Sequence, residues 1–253
     1  MGERFLILHL HTDIGHDPDD AVALAYLIEK GYNPDYISIT PGYTEQSAIV
    51  RTILLEYQRQ PYATIFKSSE TSKIYEPGQH KILIGSPEYM EPIASLPSTD
   101  LIVIGPPKGL GDRLKTQRLW FQGGYSPNSI KPLEKFAGRD SVQSFNPSGA
   151  REDFKKILDS DIPEKRFIGK NVCHGFTKAD MIKVWKPKSR IMQMFLDKLD
   201  DSKAMHDVLA CMIFTGDIEP VWEQAKPQFC GLKLTTVPTG EACYSLIGIA
   251  NEL

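Results

Sequence analysis

Four aspartates lie within eight residues near the start of the chain. They belong to the stretch "HTDIGHDPDD", residues 11–20, and are Asp13, Asp17, Asp19 and Asp20. The helix dipole stabilises an aspartate at a helix N-terminus by only about 0.3–1 kcal/mol, which is too little to offset the repulsion among several close carboxylates. A hard divalent cation offsets it far better, and carboxylate oxygens suit Ca²⁺ or Mg²⁺ rather than Zn²⁺. The stretch therefore predicts a metal site, and the alternative is a solvated helix N-terminus with scattered acids.

A His-Asp pair far downstream offers two further groups. The segment "SKAMHDVLACMIF" places His206 and Asp207 at the start of an apolar helical pattern. Such a pair alone is most often an ordinary helix start. Together with the first acidic segment, it would form a hard-metal site beside an imidazole that can donate a proton near neutral pH.

The bulk composition limits the partners of this chemistry. The 253 residues are 41% hydrophobic and 24% charged, and the formal net charge is −3. Because no general basicity favours nucleic acid or an anionic membrane, we expect a small-molecule ligand, no nucleic acid and no membrane. The four cysteines are widely spaced and form no zinc-binding pattern. They predict reduced thiols in a cytoplasmic protein.

Alternating apolar and amphipathic runs indicate the elements that position these residues. Strand-like runs are "RFLILHLH", "YISITPG", "ATIFKS", "TDLIVIGPP", "LWFQGG" and "RFIGKNVC". Helix-like runs are "DDAVALAYLIEKGY", which stops at Gly31, "EQSAIVRTILLEYQRQ", "KGLGDRLK", "GAREDFKKIL", and residues 188–199 and 203–215. This order predicts an α/β fold: a single domain over residues 1–253, with a mainly parallel, Rossmann-like sheet and helices on both faces. In the tail, two strand-like runs flank a turn at residues 238–240 and predict a hairpin.

The polar residues that follow the predicted strands should share one edge of the sheet. Ligand sites in parallel sheets lie at the carboxyl ends of the strands. The residues expected at this edge are Asp13, Gly42, Lys108, Gly123, Gly124, Cys173 and His174.

Several of these motifs together resemble a known family. "DIGHDPDD" with the later "MHDVLA" resembles the nucleoside N-ribohydrolases, the inosine–uridine-preferring nucleoside hydrolase superfamily. The resemblance runs nearly end to end, through "ISITPGYTEQSAIVRTILLEY", "LIVIGPPKGLGDRL", "WFQGGY", "SFNPSGAREDFKKIL" and "FIGKNVCHGFT". The acidic and His-Asp motifs are specific in combination, whereas the connecting matches are individually weak.

The resemblance implies hydrolysis of the N-glycosidic bond between ribose and a base, through an oxocarbenium-like transition state. It implies one Ca²⁺, held by carboxylates and by a backbone carbonyl. The residues at these metal positions are Asp13, Asp20, Asp207 and, for the carbonyl, Lys108. Asp13 would also accept a proton from the metal-bound water, whose pKa the ion lowers. Members of the family are commonly dimers or tetramers, so a homo-oligomer is expected.

Further positions match the sugar and the leaving base. Asp19 and Asn146 fall on residues that bind ribose hydroxyls, and Asp207 lies in the same substrate pocket. His206 falls on the acid that assists the departing base. Tyr43, where the family has an Asn after the glycine, would either stack on a base or simply fill space. The segment 70–82 corresponds to a loop that closes over substrate, and Tyr75 and His80 are its candidates for contact with the base.

Two departures from the family pattern change the expectations. His11 replaces the first aspartate of the usual Asp-x-Asp, a supporting residue whose loss would weaken or retune the metal site. Arg139 and Ser144 fall near positions that bind the 5′-hydroxyl, where the family has Asn and Glu. Arginine binds phosphate through bidentate hydrogen bonds, whereas Glu would repel it. We therefore hypothesise a substrate with a 5′-phosphate, to which Lys108, Lys131 and Lys135 would add positive charge. In the alternative, Arg139 points to solvent or pairs with Asp140.

Three other functions remain open from the sequence. The first is a Mg²⁺-dependent phosphatase with Asp13 as nucleophile, which leaves the Asp19-Asp20 pair unexplained. The second is a degenerate hydrolase that binds a nucleoside or nucleotide without turnover. The third is the same glycosidic cleavage with an unusual base as leaving group.

Overall fold

A nine-stranded sheet forms the centre of the molecule. The computed structural model describes residues 6–15, 17–58, 63–68, 90–92 and 96–250. The strands of the sheet are β1 (Leu8–Thr12), β2 (Tyr36–Ile39), β3 (Thr64–Lys67), β4 (Glu91–Pro92), β5 (Leu96–Val103), β6 (Leu114–Gln122), β7 (Glu164–Ile168), β8 (Pro220–Glu223) and β11 (Cys243–Ile249). Their order is β4-β3-β2-β1-β5-β6-β7-β11-β8, and every neighbouring pair is parallel except β11 with β8. The predicted α/β class is confirmed.

Eight helices accompany the sheet in the described part of the chain. They are α1 (Asp19–Glu29), α2 (Thr44–Glu56), α3 (Phe145–Gly149), α4 (Arg151–Asp159), α5 (Lys170–Cys173), α6 (Lys178–Val184), α7 (Arg190–Leu196) and α8 (His206–Thr215). Successive side chains of a strand point to opposite faces. On β5, Ile102 belongs to a core formed with α1, α2, α7 and α8, whereas Leu101 and Val103 belong to a core formed with α4. Apolar packing therefore covers both faces of the sheet.

Helices α1 and α8 pack against each other, and each begins with one of the two acidic motifs. Both are apolar over most of their length, and α1 is buried from Asp19 to Ile28. Tyr26 on α1 donates a hydrogen bond of 2.8 Å to Asp217, just after α8. Helix α1 ends where Gly31 adopts a φ of +87°, as its position in the sequence predicts. This packing brings two segments together that lie nearly 190 residues apart.

Three local predictions were wrong. The segment "KGLGDRLK" forms turns up to Arg113, and its last two residues begin β6. Gly109 in these turns has a φ of +80°, a value that an α-helix excludes. The strand in "RFIGKNVC" ends at Ile168, and helix α5 follows Gly169. The tail does not form the predicted hairpin. Instead β10 (Lys233–Pro238) pairs with β9 (Ala225–Cys230) in a separate two-stranded sheet, while β11 enters the main sheet between β7 and β8.

Two findings concern parts of the sequence with functional expectations. Among the described residues, no helix has both the length and the apolar character needed to cross a bilayer. The segment 70–82, with Tyr75 and His80, lies outside the described residues.

Candidate functional site

The candidate site lies where the strand order of the sheet reverses. Strands β2, β3 and β4 extend to one side of β1, and β5, β6 and β7 extend to the other. Such a switch point opens a crevice at the carboxyl ends of the two central strands. Asp13 directly follows β1, and Gly105 lies just beyond β5. A Cβ atom at Gly105 would lie 2.6 Å from the backbone nitrogen of Asp13 and 2.8 Å from its Oδ1, so only glycine permits this approach.

The first turns of α1 and α8 contribute three buried carboxylates. Asp19, Asp20 and Asp207 are only 2%, 2% and 6% exposed. One carboxylate oxygen from each lies within 4.8 Å of the other two. The Thr12 hydroxyl donates to Oδ1 of Asp20 at 2.5 Å, and the backbone N–H of Asp207 donates to Oδ2 of Asp19 at 3.3 Å. These hydrogen bonds hold the two helix starts and the end of β1 as one unit.

The surroundings of Asp13, Asp19, Asp20 and Asp207 disfavour the ionised form of each carboxylate. Burial is the largest cause, and it raises the pKa of Asp13 to about 7, with the charge of Asp17 adding to the effect. Burial and then Asp17 raise the pKa of Asp19 to about 8. Burial, followed by the charges of neighbouring aspartates, raises the pKa of Asp20 and of Asp207 well above the usual range. Buried carboxylates with raised pKa values fit a hard divalent cation, because the charge of the cation would stabilise their ionised form.

His206 lies at the border of the acidic cluster, as the sequence predicts. Its Nδ1 is 3.9 Å from Oδ2 of Asp19, and its buried Nε2 has no hydrogen-bond partner among the described residues. Its ring contacts that of His174, with the centroids 4.3 Å apart and the planes tilted by 39°. Burial and, next, the charge of Lys203 lower the pKa of His206 to about 4. With this pKa the side chain is neutral at pH 7, and a neutral imidazole still has one N–H to donate.

His11 takes part in a defined chain of hydrogen bonds. Its Nε2 lies 2.8 Å from the Pro106 carbonyl, and its Nδ1 lies 2.8 Å from the Ser38 hydroxyl, which is also 2.8 Å from Nε2 of His9. A carbonyl only accepts, so Nε2 of His11 carries the proton, Ser38 donates to Nδ1, and His9 donates to Ser38. Burial lowers the pKa of His11 to about 4 and that of His9 to about 3, so both are neutral.

Other predicted residues lie around the same crevice. Ser144 is buried, and its hydroxyl accepts from the Gly124 N–H at 3.1 Å. The side-chain NH₂ of Asn146 donates to the carbonyl oxygens of Ile104 at 3.1 Å and Gln122 at 3.0 Å. Tyr43 precedes α2, and its backbone N–H donates to Oε1 of Gln46 at 3.0 Å. The other end of the Gln46 amide donates to the Ile14 carbonyl at 2.8 Å, which ties Tyr43 to the loop after Asp13.

Two predicted residues are less closely joined to this site. Lys108 is exposed, and its backbone N–H donates to the Pro106 carbonyl at 2.7 Å. Arg139 is also exposed and lines a surface depression with Tyr125 and Phe136. Within the described ranges, no ion pair joins Arg139 to Asp140 or to the acidic cluster.

Three basic residues lie near His206, and the sequence analysis names only Lys135, as part of a positive patch. Lys203 pairs with Asp17, its Nζ lying 2.7 Å from Oδ1. Lys135 places its Nζ 3.0 Å from Nδ1 of His174, and Lys170 begins the helix that His174 follows. Lys203 lies three residues before His206, so the sequence itself indicates that the two residues are close. The approach of Lys135 has no local signal, because it depends on the path of a loop between β6 and α3.

This fold is that of the nucleoside hydrolases. The inosine–uridine-preferring nucleoside hydrolase of Bacillus anthracis superposes with a TM-score of 0.66 at 16% identity, covering 98% of this chain and 95% of that one. An inosine–guanosine nucleoside hydrolase gives 0.68 at 14% identity, with 96% and 94% covered. A plant nucleoside hydrolase gives 0.64 at 13% identity, with 97% and 95% covered. No family model matches the sequence, and no curated protein matches it either.

Proposed function

We propose that this chain is a metal-dependent N-glycosidase that hydrolyses a nucleoside or a nucleoside 5′-monophosphate. Its products would be the free base and either ribose or ribose 5-phosphate. The observation that carries the proposal is the buried carboxylate cluster beside His206, at the switch point of a nucleoside hydrolase fold. A metal-dependent phosphatase has less support, because Asp19 and Asp20 would then have no assigned task.

The buried cluster of Asp19, Asp20 and Asp207 fits one Ca²⁺, which takes six to eight oxygen ligands and tolerates irregular geometry. Of the predicted ligands, Asp20 and Asp207 belong to this cluster. On the resemblance to the nucleoside hydrolases, we assign to the ion these two carboxylates together with the carboxylate of Asp13 and the main-chain carbonyl of Lys108. When bound, the ion would lower the pKa of a water molecule and hold the ribose diol. Its charge would also relieve the repulsion among the buried acids.

The side chains then have distinct tasks in the reaction. Asp13 accepts a proton from the attacking water, whose oxygen bonds to the anomeric carbon. The electron pair of the broken C–N bond leaves with the base. Asp19 and Asn146 hold the ribose hydroxyls, and because the Asn146 NH₂ is engaged, its Oδ1 accepts from them. Neutral His206 donates a hydrogen bond from one N–H to the departing base, which takes up a proton from solvent water while Asp13 releases to solvent the proton that it accepted.

The 5′ end of the sugar would lie near Ser144. A hydroxyl at this position, in place of the family's glutamate, leaves room for a phosphate without repelling it. Arg139 and Lys135 belong to the loop that precedes Ser144, and both are exposed. Tyr43 would stack on the base or fill the space beside it. These features support a 5′-monophosphate as well as a nucleoside.

The experiment is to incubate the protein with Ca²⁺ and a panel of nucleosides and 5′-monophosphates, and to separate free bases by chromatography. Asp13→Asn should lower base release by at least about 10²-fold, the usual contribution of a general base. The matched control is Asp161→Asn, at an exposed position outside the site, which should retain activity. Release of inorganic phosphate, or a raised melting temperature with no product, would contradict the proposal in favour of a phosphatase or a binding protein.

We also propose that the chain acts as one domain, as a homo-oligomer, and in the cytoplasm. The oligomer, a dimer or a tetramer, rests on the resemblance to the family. The cytoplasmic location is supported by the four cysteines, which are all free.

A further inference from the structure

We infer that Lys135, Lys170 and His174 form a binding site for an oxyanion of the substrate, beside the carboxylate cluster. That the oxyanion belongs to the substrate rests on the proposed function. The three side chains come from the loop before α3 and from α5 with its C-terminal flank. They form an assembly that is separate in sequence from both acidic motifs.

A continuous series of contacts links these groups to the reaction centre. Nζ of Lys135 lies 3.0 Å from Nδ1 of His174, whose ring packs on that of His206. His206 in turn lies 3.9 Å from Asp19. Lys170 precedes His174 by one helical turn, and its Nζ donates to the Gln143 carbonyl at 3.1 Å, immediately before Ser144. The ammonium groups of Lys135 and Lys170 therefore lie along the series of contacts that runs from Ser144 to His206.

In the described part of the chain, Lys135 and Lys170 lack carboxylate partners that would account for their position. Across the described residues, neither Lys135 nor Lys170 has an acidic side chain within ion-pair distance, whereas Lys203 nearby is paired with Asp17. Burial lowers the pKa of Lys170, and Lys135 lowers it further. Burial lowers the pKa of His174 to about 3, and His206 and the nearby lysines add to this effect. Like charges gathered in this way are destabilising unless an anion joins them.

The hydrogen-bonding groups determine which anion fits. Lysine offers only donors, and because Nδ1 of His174 accepts from Lys135, the proton of the neutral ring is on Nε2. The site therefore presents donors alone, which is the pattern that binds phosphate or carboxylate oxygens. The substrate can supply such oxygens in two ways, as a 5′-phosphate on the sugar or as a carboxylate on the base. Arg139, in contrast, lies in the depression formed with Tyr125 and Phe136.

Binding measurements on the intact protein without Ca²⁺ separate this inference from the hydrolytic proposal. Ribose 5-phosphate and orotate serve as probes for the two sources of the oxyanion, and isothermal titration calorimetry gives Kd. At least one probe should bind the wild type. Each lost charge-assisted hydrogen bond is worth about 1.5–3 kcal/mol, so Lys135→Gln or Lys170→Gln should weaken binding by about tenfold or more. Lys135→Arg should restore part of the affinity.

The matched control is Lys233→Gln, which removes an exposed lysine at the start of β10 and should leave Kd unchanged. Binding of ribose 5-phosphate alone would identify the sugar phosphate, and binding of orotate alone would identify the base. Failure of both probes to bind, or equal affinity in the double variant Lys135→Gln/Lys170→Gln, overturns the inference. Failure of the proposed hydrolysis would instead appear as absence of free base from every substrate, whatever the result of the titrations.

Discussion

Replacing His11 with aspartate, the residue usual in nucleoside hydrolases, should destabilise this protein. His11 is fully buried and makes two hydrogen bonds at once, to Pro106 and to Ser38. Aspartate is too short to reach both partners, and an ionised carboxylate cannot donate to the Pro106 carbonyl. It would also add a fifth acid next to Asp13, in a cluster whose members already resist ionisation.

The size of the effect follows from these contacts. An unsatisfied buried carbonyl costs about 1–3 kcal/mol, and the lost bond to Ser38 adds about 1 kcal/mol. We therefore expect His11→Asp to lower the free energy of unfolding by about 3 kcal/mol, which corresponds to a fall in Tm of roughly 6–12 °C for a chain of this length. Urea denaturation and thermal melts at pH 7 without metal measure both quantities.

Ser38→Ala provides the matched control. It removes the hydroxyl between His9 and His11 but adds no charge and leaves the bond to Pro106 in place. It should therefore destabilise the protein less than His11→Asp does. If His11→Asp is as stable as the wild type, or more stable, the hydrogen-bond chain does not explain the histidine at this position.

Two further predictions concern the same end of the sheet. His9 has a pKa of about 3 in the folded protein against an ordinary value of 6.5, so its contribution to stability is complete above pH 6.5 and is lost as the pH falls from 6.5 towards 3. The free energy of unfolding, measured at pH 7 and at pH 5, should fall between these two pH values in the wild type by about 2 kcal/mol more than in His9→Gln. An equal fall in both proteins would contradict the lowered pKa of His9. Gly105→Ala places a Cβ 2.6 Å from the Asp13 nitrogen, so it should weaken Ca²⁺ binding by at least about tenfold through displacement of the ligand. Gly240→Ala meets no atom within 4 Å and serves as the control in the Ca²⁺ titration, where equal affinities for the two variants would refute the predicted displacement.

The sequence predicts the elements that carry strong local patterns. The first strand and α1 are recognisable because an apolar run is followed by aspartates and then by a buried helix that ends at Gly31. The α8 motif is recognisable because a His-Asp pair opens an apolar helical run. Its assignment to the same site as Asp13 and Asp20 rests on the resemblance to the nucleoside hydrolases, because α8 follows a loop after α7 and not a strand.

The parts that escape prediction depend on non-local pairing. The tail has a good turn between β10 and β11, yet β11 gains more by inserting between β7 and β8, where Cys243 and Leu246 become buried. The partner strand β9 contains Pro227 and alternating polar residues, so its sequence gives only a weak signal. The sequence places His174 at the end of a strand and Lys135 in a positive patch, but it does not predict that the two side chains meet. Their meeting results from the way α5 and the loop before α3 approach each other.

The neutral state of His11 bears on the charge that the substrate carries. With an imidazole at this position, four carboxylates rather than five surround the proposed Ca²⁺. Lys203 is neutralised by Asp17, whereas Lys135 and Lys170 have no carboxylate partner among the described residues. The combined positive charge of Lys135 and Lys170 balances the negative charge of a phosphate monoester. With a neutral nucleoside bound, these two ammonium groups would have only their mutual repulsion. A phosphorylated nucleoside would give both of them an oppositely charged partner.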